Sequence, residues 1–166
     1  MPVLSATAFD LLSNSPEQTR GLGFRLGALL RPGDVVCLQG ELGAGKTTFV
    51  QGLAQGWGTQ DATSSPTFIL VNVYRRAADD GRLFHFDTYR LDSPPEAEEL
   101  DIDGMLLQGP LVIEWPERMQ SVLPAGRLWI KFEYLDDERR QMAFSASDKH
   151  HESLLLEYRQ ANFGVA

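Results

Sequence analysis

The segment that most constrains this chain is Gly40–Thr47, whose sequence GELGAGKT fits the pattern GxxxxGK[ST]. It follows a short, β-branched run, Asp34–Gln39, and precedes a stretch with helical character from Lys46 to about Gln55. Glycines in such a loop let successive main-chain amides turn toward one anion, and the start of the following helix adds its positive dipole end. The segment therefore predicts a phosphate-binding loop between a strand and a helix.

Two side chains at the end of this loop, those of Lys46 and Thr47, carry its predicted chemistry. The lysine is expected to reach the β- and γ-phosphates of a nucleotide, and the threonine hydroxyl is expected to be a ligand of Mg²⁺. The structural alternative is a glycine-rich turn that precedes a helix by chance. The predicted strand and helix on either side favour phosphate binding over that alternative.

Two acidic residues end predicted strands elsewhere in the chain. Asp87 closes the alternating run Leu83–Asp87, and Glu114 closes the apolar run Leu111–Glu114. A phosphate-binding enzyme needs such groups beside its loop, to hold Mg²⁺ or to polarise the attacking nucleophile. A solvated carboxylate at a strand end is the structural alternative for each one. Magnesium explains the pair better, although the pattern leaves open which is the base and which the metal ligand.

The rest of the chain mixes helices and strands, which predicts an α/β fold: a mixed β-sheet flanked by helices, with an antiparallel C-terminal hairpin. Its length suits a single domain, residues 1–166. Ser15, before Pro16, is the predicted cap of the first helix. The predicted strands are Asp34–Gln39, Thr67–Arg75, Arg82–Tyr89, Leu111–Trp115, Leu128–Tyr134 and Arg140–Ser145, and the predicted helices begin at Pro16, Lys46, Pro94 and Lys149.

The charge balance limits the partners of the chain. It has 15 Lys and Arg against 23 Asp and Glu, a net charge of −8, which disfavours direct binding to a nucleic acid backbone. Any RNA is therefore expected to be held by partners. The single cysteine, Cys37, lies in an apolar run and predicts a buried thiol in a reducing compartment. No apolar run is long enough to span a membrane and the N-terminus is a poor signal peptide, so we expect a cytoplasmic protein.

Four motifs in a fixed order, GELGAGKTTF, SSPTF, HFDTYRL and VIEWPER, resemble the TsaE family, also called YjeE. These are small bacterial P-loop ATPases of tRNA threonylcarbamoyladenosine biosynthesis, and the resemblance covers about residues 15–145. It implies that ATP and Mg²⁺ are bound, and that proteins of the TsaB and TsaD type are the partners. ATP turnover would then reset a complex that transfers a threonylcarbamoyl group to tRNA, with the transfer chemistry in a partner.

The resemblance also implies roles for individual residues. Glu114 would be a metal-linked carboxylate, and Asp87 would assist the water or the metal. The phosphates would be bound by Gly43, Ala44, Gly45, Lys46, Thr47 and Thr48.

For five further positions the resemblance implies a role less strongly. Thr67, in a switch-like loop, would sense the γ-phosphate, although a turn at a strand start explains it equally well. Trp115 would pack over the site, with a core or rim position as the alternative. The adenine side is assigned to Ser15 with Pro16, and to Arg139.

Several alternatives bear on the reaction. ATP is favoured over GTP because the chain has no NKxD element after Asp87. No arginine stands out as a source of positive charge within the chain, which predicts a weak ATPase that partners stimulate. A small-molecule kinase is the rival enzyme, although no arginine-rich lid is evident, and a nucleotide-dependent binding module is the third possibility. A metal site at His150 and His151 is disfavoured, since no cysteine lies nearby.

Overall fold

A computed structural model of the chain describes residues 8–59, 71–76, 78–88 and 100–163. Within these ranges one sheet of seven strands runs in the order β1-β7-β6-β2-β5-β4-β3. The strands are β1 (Ala8–Ser13), β2 (Val35–Gln39), β3 (Val71–Arg75), β4 (Arg82–Asp87), β5 (Leu111–Glu114), β6 (Leu128–Tyr134) and β7 (Arg140–Ala146). The helices are α1 (Pro16–Gly27), α2 (Lys46–Trp57), α3 (Ile102–Gln108), α4 (Lys149–Phe163) and a 3₁₀ helix, Pro116–Val122.

The centre of the sheet is parallel. Strand β2 pairs in parallel with both β5 and β6, and β5 pairs in parallel with β4. Strands β2 and β5 are almost fully buried and β4 is buried along its middle, as expected for parallel strands covered on both faces, whereas β6 alternates between buried and exposed residues. The carboxyl ends of the four parallel strands therefore meet at one edge, where the loop after β2 also lies. The predicted α/β class is confirmed, as is the antiparallel hairpin of β6 and β7.

Strand β1 was not predicted from the sequence. It pairs antiparallel with β7, from Ala8 opposite Ser145 to Ser13 opposite Arg140. The Phe9 ring stacks on Phe144, with 4.9 Å between ring centroids. A six-residue edge strand whose partner lies far along the chain gives a weak local signal. Its pairing places the start of α1 at the same sheet edge as the loop after β2.

The helix predicted to begin at Pro94 begins later in the part of it that the structure describes. Residues 89–99 lie outside the described ranges, and α3 begins at Ile102. Asp101 caps it, because its Oδ1 accepts a hydrogen bond from the amide of Gly104 at 3.1 Å. A side chain that satisfies a free amide of the first turn ends the helix on its N-terminal side. The prediction of one helix through Leu100 and Asp101 is therefore wrong.

Helices α1 and α2 pack at backbone contact through glycines on both helices. A Cβ added at Gly27 would lie 1.9 Å from the carbonyl oxygen of Leu53, and one at Gly52 would lie 1.9 Å from that of Arg20. Gly23 and Gly56 are equally close to the facing backbone. Backbone atoms cannot move aside as a side-chain end can, so these glycines fix the distance between the helix that follows the phosphate loop and its neighbour.

We expect Gly52→Ala to lower the free energy of unfolding by about 3 kcal/mol, since the added methyl overlaps the facing backbone. Gly21→Ala is the matched control, because no heavy atom lies within 4 Å of its Cβ position. It should raise the free energy of unfolding by about 0.5–1 kcal/mol through helix propensity. Urea denaturation of the three proteins measures both changes. Equal stability of Gly52→Ala and wild type would contradict the close packing.

Cys37 is fully buried in β2, as predicted. Burial raises the pKa of its thiol to about 12, outweighing the smaller effect of the Arg127 charge, which lowers it. Only the thiolate reacts with disulfide reagents, and at pH 8 the raised pKa leaves very little of it in the folded protein.

A thiol reagent at pH 8 should therefore label Cys37 only as fast as the chain unfolds. Stopped-flow absorbance in native buffer and in urea measures the labelling rate. Rapid labelling of the native protein would show that the thiol is accessible.

Candidate phosphate-binding site

The loop between β2 and α2 has the curled backbone that the glycines predict. Gly43 and Gly45 adopt φ of +81° and +102°, a region that favours glycine. The amide of Ala44 donates to the carbonyl of Glu41 at 3.1 Å and closes the turn. Gly45 precedes α2 without a side-chain cap, so side chains leave the first amides of the helix to other acceptors. An anion fits such a helix start.

A cavity of about 220 Å³ opens beside this loop. It brings together the loop after β2 and the ends of β5 and β4, because β5 pairs with β2, β4 pairs with β5, and Asp87 lies opposite Glu114. Most of the predicted residues line it: Gly43, Gly45, Lys46, Thr47, Thr48, Asp87, Glu114 and Trp115, together with Leu42 and Arg140. Buried Ala44 belongs to the same turn without lining the cavity.

Lys46 is buried at the start of α2, with 4% of its surface exposed. Its Nζ donates to the carbonyl of Gly40 and lies 3.7 Å from the ring centroid of Trp115. Burial lowers the pKa of the ammonium. Four carboxylates oppose that shift: Glu114, Glu117, Asp87 and Glu41. Within the described residues the ammonium thus rests on a neutral carbonyl and an aromatic face, in an acidic surrounding.

Glu114 is held by a series of buried hydrogen bonds between side chains of three strands. Its Oε2 lies 2.6 Å from Nε2 of His85, and the other ring nitrogen, Nδ1, lies 3.0 Å from the hydroxyl of Tyr74. A neutral His85 that donates from Nε2 to an ionised carboxylate has its acceptor at Nδ1, which suits the Tyr74 hydroxyl. These two hydrogen bonds fix the direction of the Glu114 side chain. The sequence analysis missed them, because the three residues meet only once the strands pair.

The turn after β5 sets the position of Trp115. Its backbone is left-handed, with φ of 59° and ψ of 49°, which is uncommon for a bulky residue. Thr88 stabilises this turn: its hydroxyl lies 2.9 Å from the carbonyl of Glu114 and also contacts that of Trp115. The amide of Trp115 donates to Leu38 of β2 at 3.2 Å. These bonds hold the indole beside Lys46.

The residues predicted for the adenine side do not line the cavity. Ser15 caps α1, its Oγ accepting from the amide of Gln18 at 3.0 Å, and Pro16 is the first helical residue. Neither lines the cavity, although α1 starts at the same sheet edge. Arg139 lies in the hairpin turn, where its Nε donates to Asp136 at 2.7 Å, and it does not line the cavity either. Thr67 lies outside the described residues.

Arg140 reaches the loop in place of its neighbour. Its Nη2 donates to the carbonyl of Gly43 at 3.1 Å, and it lines the cavity. The sequence offered no arginine as an evident source of positive charge near the phosphates, so this contact was missed. Arg139 belongs to the hairpin turn and Arg140 is the first residue of β7, so only the bounds and pairing of the hairpin show which arginine reaches the loop.

The donor set suits magnesium at the cavity. Thr47, Asp87 and Glu114 offer a hydroxyl and two carboxylates, the oxygen ligands that Mg²⁺ prefers.

A second cluster, Asp34, His150 and His151, has ligand atoms within 4.8 Å of one another. Both ring nitrogens of His151 are engaged, however: Nε2 accepts from the amide of Val35 at 3.0 Å, and Nδ1 lies 2.7 Å from Asp148. These hydrogen bonds anchor the start of α4.

None of the helices in the described ranges has the length and apolar character needed to cross a membrane.

Comparison with known proteins was made by sequence and by structure. The family model for "Threonylcarbamoyl adenosine biosynthesis protein TsaE" matches residues 13–142. TsaE of Bacillus subtilis is 37% identical over 146 residues, which cover 86% of this chain and 89% of that protein. TsaE of Streptomyces coelicolor is 44% identical over 115 residues, 69% of this chain and 78% of that protein.

A crystal structure of YdiB from Bacillus subtilis superposes with a TM-score of 0.77 and 29% sequence identity, covering 98% of each chain. The fold, the order of the motifs and the range matched by the family model all agree with those of TsaE proteins. The chain belongs to the TsaE family of tRNA threonylcarbamoyladenosine biosynthesis proteins.

Proposed function

We propose that this chain binds ATP with Mg²⁺ and hydrolyses it, slowly alone and faster with TsaB- and TsaD-type partners. Its turnover resets the complex that modifies tRNA, and the setting is the cytoplasm. One observation carries the proposal: a single cavity unites the curled loop, a buried lysine, a threonine hydroxyl and two strand-end carboxylates. Phosphoryl transfer needs mainly positioning and charge stabilisation, which these groups supply.

The loop and Lys46 bind the triphosphate in this proposal. Amides from Gly43 to Thr48 donate to the phosphate oxygens, and Lys46 exchanges its neutral partners, the Gly40 carbonyl and the Trp115 ring, for the β- and γ-phosphates. Thr47 and Asp87 would hold Mg²⁺, which when bound neutralises charge on the β- and γ-phosphates. The resemblance implies that Glu114 is linked to the metal; this proposal assigns Glu114 to the water instead, because His85 already engages its Oε2. Thr67 is proposed as the residue that senses the γ-phosphate.

Glu114 acts on the attacking water. His85 engages its Oε2, so the other carboxylate oxygen is the one that accepts a proton from a water in the cavity. A carboxylate fixed in direction by a buried partner holds the water in line with the γ-phosphate at little cost in reorganisation.

The partners supply what the chain lacks for rapid turnover. The net charge of −8 disfavours direct contact with RNA, so tRNA is engaged through the partner proteins. The four carboxylates around Lys46 oppose the charge that develops on the γ-phosphate, and added positive charge from a partner offsets them.

Lys46→Ala and Glu114→Gln separate binding from hydrolysis. Lys46→Ala should weaken Mg-ATP binding at least tenfold, because it removes the buried ammonium. Glu114→Gln should keep the affinity within about threefold and lower the rate constant about 100-fold, because the amide cannot accept the water's proton. Calorimetry measures binding, and release of γ-labelled phosphate with TsaB, TsaD and tRNA present measures turnover.

The label also tests the alternatives. Inorganic phosphate supports the ATPase, and a labelled metabolite would show a kinase. Binding of ATP without turnover under every condition would leave a nucleotide-dependent binding module. Equal phosphate release by wild type and Lys46→Ala would refute the proposal.

His85 positions Glu114, so replacing it should affect turnover more than binding. His85→Phe removes the hydrogen bond to a buried carboxylate, worth about 1.5–3 kcal/mol, and should lower kcat about 10- to 100-fold while the Kd for Mg-ATP stays within threefold. His85→Gln restores an N–H donor and should recover part of kcat. Steady-state kinetics and calorimetry give the two constants. A loss confined to Kd would mean that His85 does not act through Glu114.

A further inference from the structure

We propose that Arg140 is a second cationic group of the nucleotide site, which binds the polyphosphate of the Mg-nucleotide from the C-terminal hairpin. The inference rests on the proposed function and adds a residue that neither the family motifs nor the loop pattern assigns. It places one positive charge on the outer side of the loop, in addition to that of Lys46.

The guanidinium of Arg140 is fixed in place before any ligand binds. Nη2 donates to the carbonyl of Gly43 at 3.1 Å, and Nη1 donates to the carbonyl of Arg139 at 2.9 Å and also to that of Asp136. The Tyr134 ring supports it, with 4.6 Å between Cζ and the ring centroid. A side chain held in this way loses little conformational entropy when an anion binds.

These protein partners leave the charge of Arg140 without a counterion. All three acceptors are neutral carbonyls, and no carboxylate lies within 4.0 Å of its nitrogens among the described residues. Two other arginines of the fold do have carboxylate partners: Arg76 pairs with Asp79, and Arg139 pairs with Asp136. An arginine cannot lose its proton in a protein, so the positive charge persists at the edge of the cavity.

One donor of Arg140 is also unused. Its Nε is buried and has no hydrogen-bond partner in the part of the chain that the structure describes. The same nitrogen lies 3.5 Å from the Cβ position of Gly45, a residue of the loop that lines the cavity. Buried donors without partners are rare and costly, and phosphate oxygens are the strongest acceptors for a guanidinium. A polyphosphate in the cavity supplies the counterion that the guanidinium lacks, and a small turn of the side chain toward it would give Nε an acceptor.

The position of Arg140 predicts an effect on affinity rather than on rate. Arg140 contacts the loop at Gly43. Glu114, the carboxylate proposed to act on water, belongs to a different element, the end of β5. A contact made equally in the ground state and the transition state lowers KM without raising kcat. Arg140 is therefore a binding residue in this proposal.

The test compares Arg140→Gln with Arg139→Gln, its matched control one residue away. The probes are Mg-ATP, Mg-ADP and inorganic tripolyphosphate, which has no base or ribose. Arg140→Gln should weaken all three about tenfold or more in calorimetry, with kcat at saturating ATP within about threefold of wild type. Arg139→Gln should bind tripolyphosphate, which has no adenine, within about twofold of wild type, because Arg139 is exposed and paired with Asp136.

The salt dependence of binding distinguishes an electrostatic contact of Arg140 with the anion from a structural role of Arg140 in supporting the loop. The affinity of wild type should fall more steeply between 50 mM and 500 mM NaCl than that of Arg140→Gln, since the variant lacks one charge at the anion. Arg140→Lys keeps the charge and should retain the wild-type salt dependence with intermediate affinity. It also serves if Arg140→Gln is unfolded in thermal melts.

The outcomes are distinct. Wild type that binds none of the probes overturns the proposed function and this inference with it. Wild-type binding that Arg140→Gln leaves unchanged overturns the inference alone. So does a loss of affinity in Arg140→Gln with a salt dependence equal to that of wild type, because the side chain would then act only by supporting the loop.

Discussion

The parallel pairing of β2 with β5 and β6 is the constraint on which the site depends. It fixes the register in which Leu38 lies opposite Glu114 and Ile130, and β4 continues the same register through Asp87. Because side chains alternate along a strand, a shift of one residue would turn the strand-end carboxylates to the opposite face of the sheet. The buried apolar residues of the four strands prevent that shift. The core therefore determines the position of the polar groups at its edge.

Burying those polar groups has a cost that the apolar core offsets. Lys46, His85 and Glu114 are each less than 5% exposed, and removing a charged group from water is unfavourable unless its partners satisfy it. Glu114 has His85, and His85 has Tyr74, whereas Lys46 has a carbonyl and an aromatic ring. An apolar set of similar volume would be at least as stable. The polar arrangement is better explained by what it binds than by stability.

Sequence analysis located what short-range patterns encode. The loop pattern, the capping hydroxyl of Ser15 and the carboxylates at Asp87 and Glu114 each depend on a few consecutive residues, and the structure places the loop and the carboxylates in one cavity. It missed strand β1, the hydrogen-bonded side chains behind Glu114, and the contact of Arg140 with the carbonyl of Gly43. Each of these depends on strand pairing between distant segments. The family resemblance did not help, because a motif fixes residue types without showing which neighbouring side chain faces the loop.

The two cations of the cavity have partners of the same kind. Lys46 contacts the carbonyl of Gly40, and Arg140 contacts that of Gly43, so each rests on the backbone of the same loop, at its two sides. Contacts between a cation and a carbonyl are weaker than those with an anion. A bound polyphosphate would take over both cations at once, releasing two loop carbonyls while the loop amides gain acceptors. In the proposed site, the side of the loop facing β5 and the side facing the C-terminal hairpin would thus bind one anion, while the Thr88 hydrogen bonds hold the turn at Trp115.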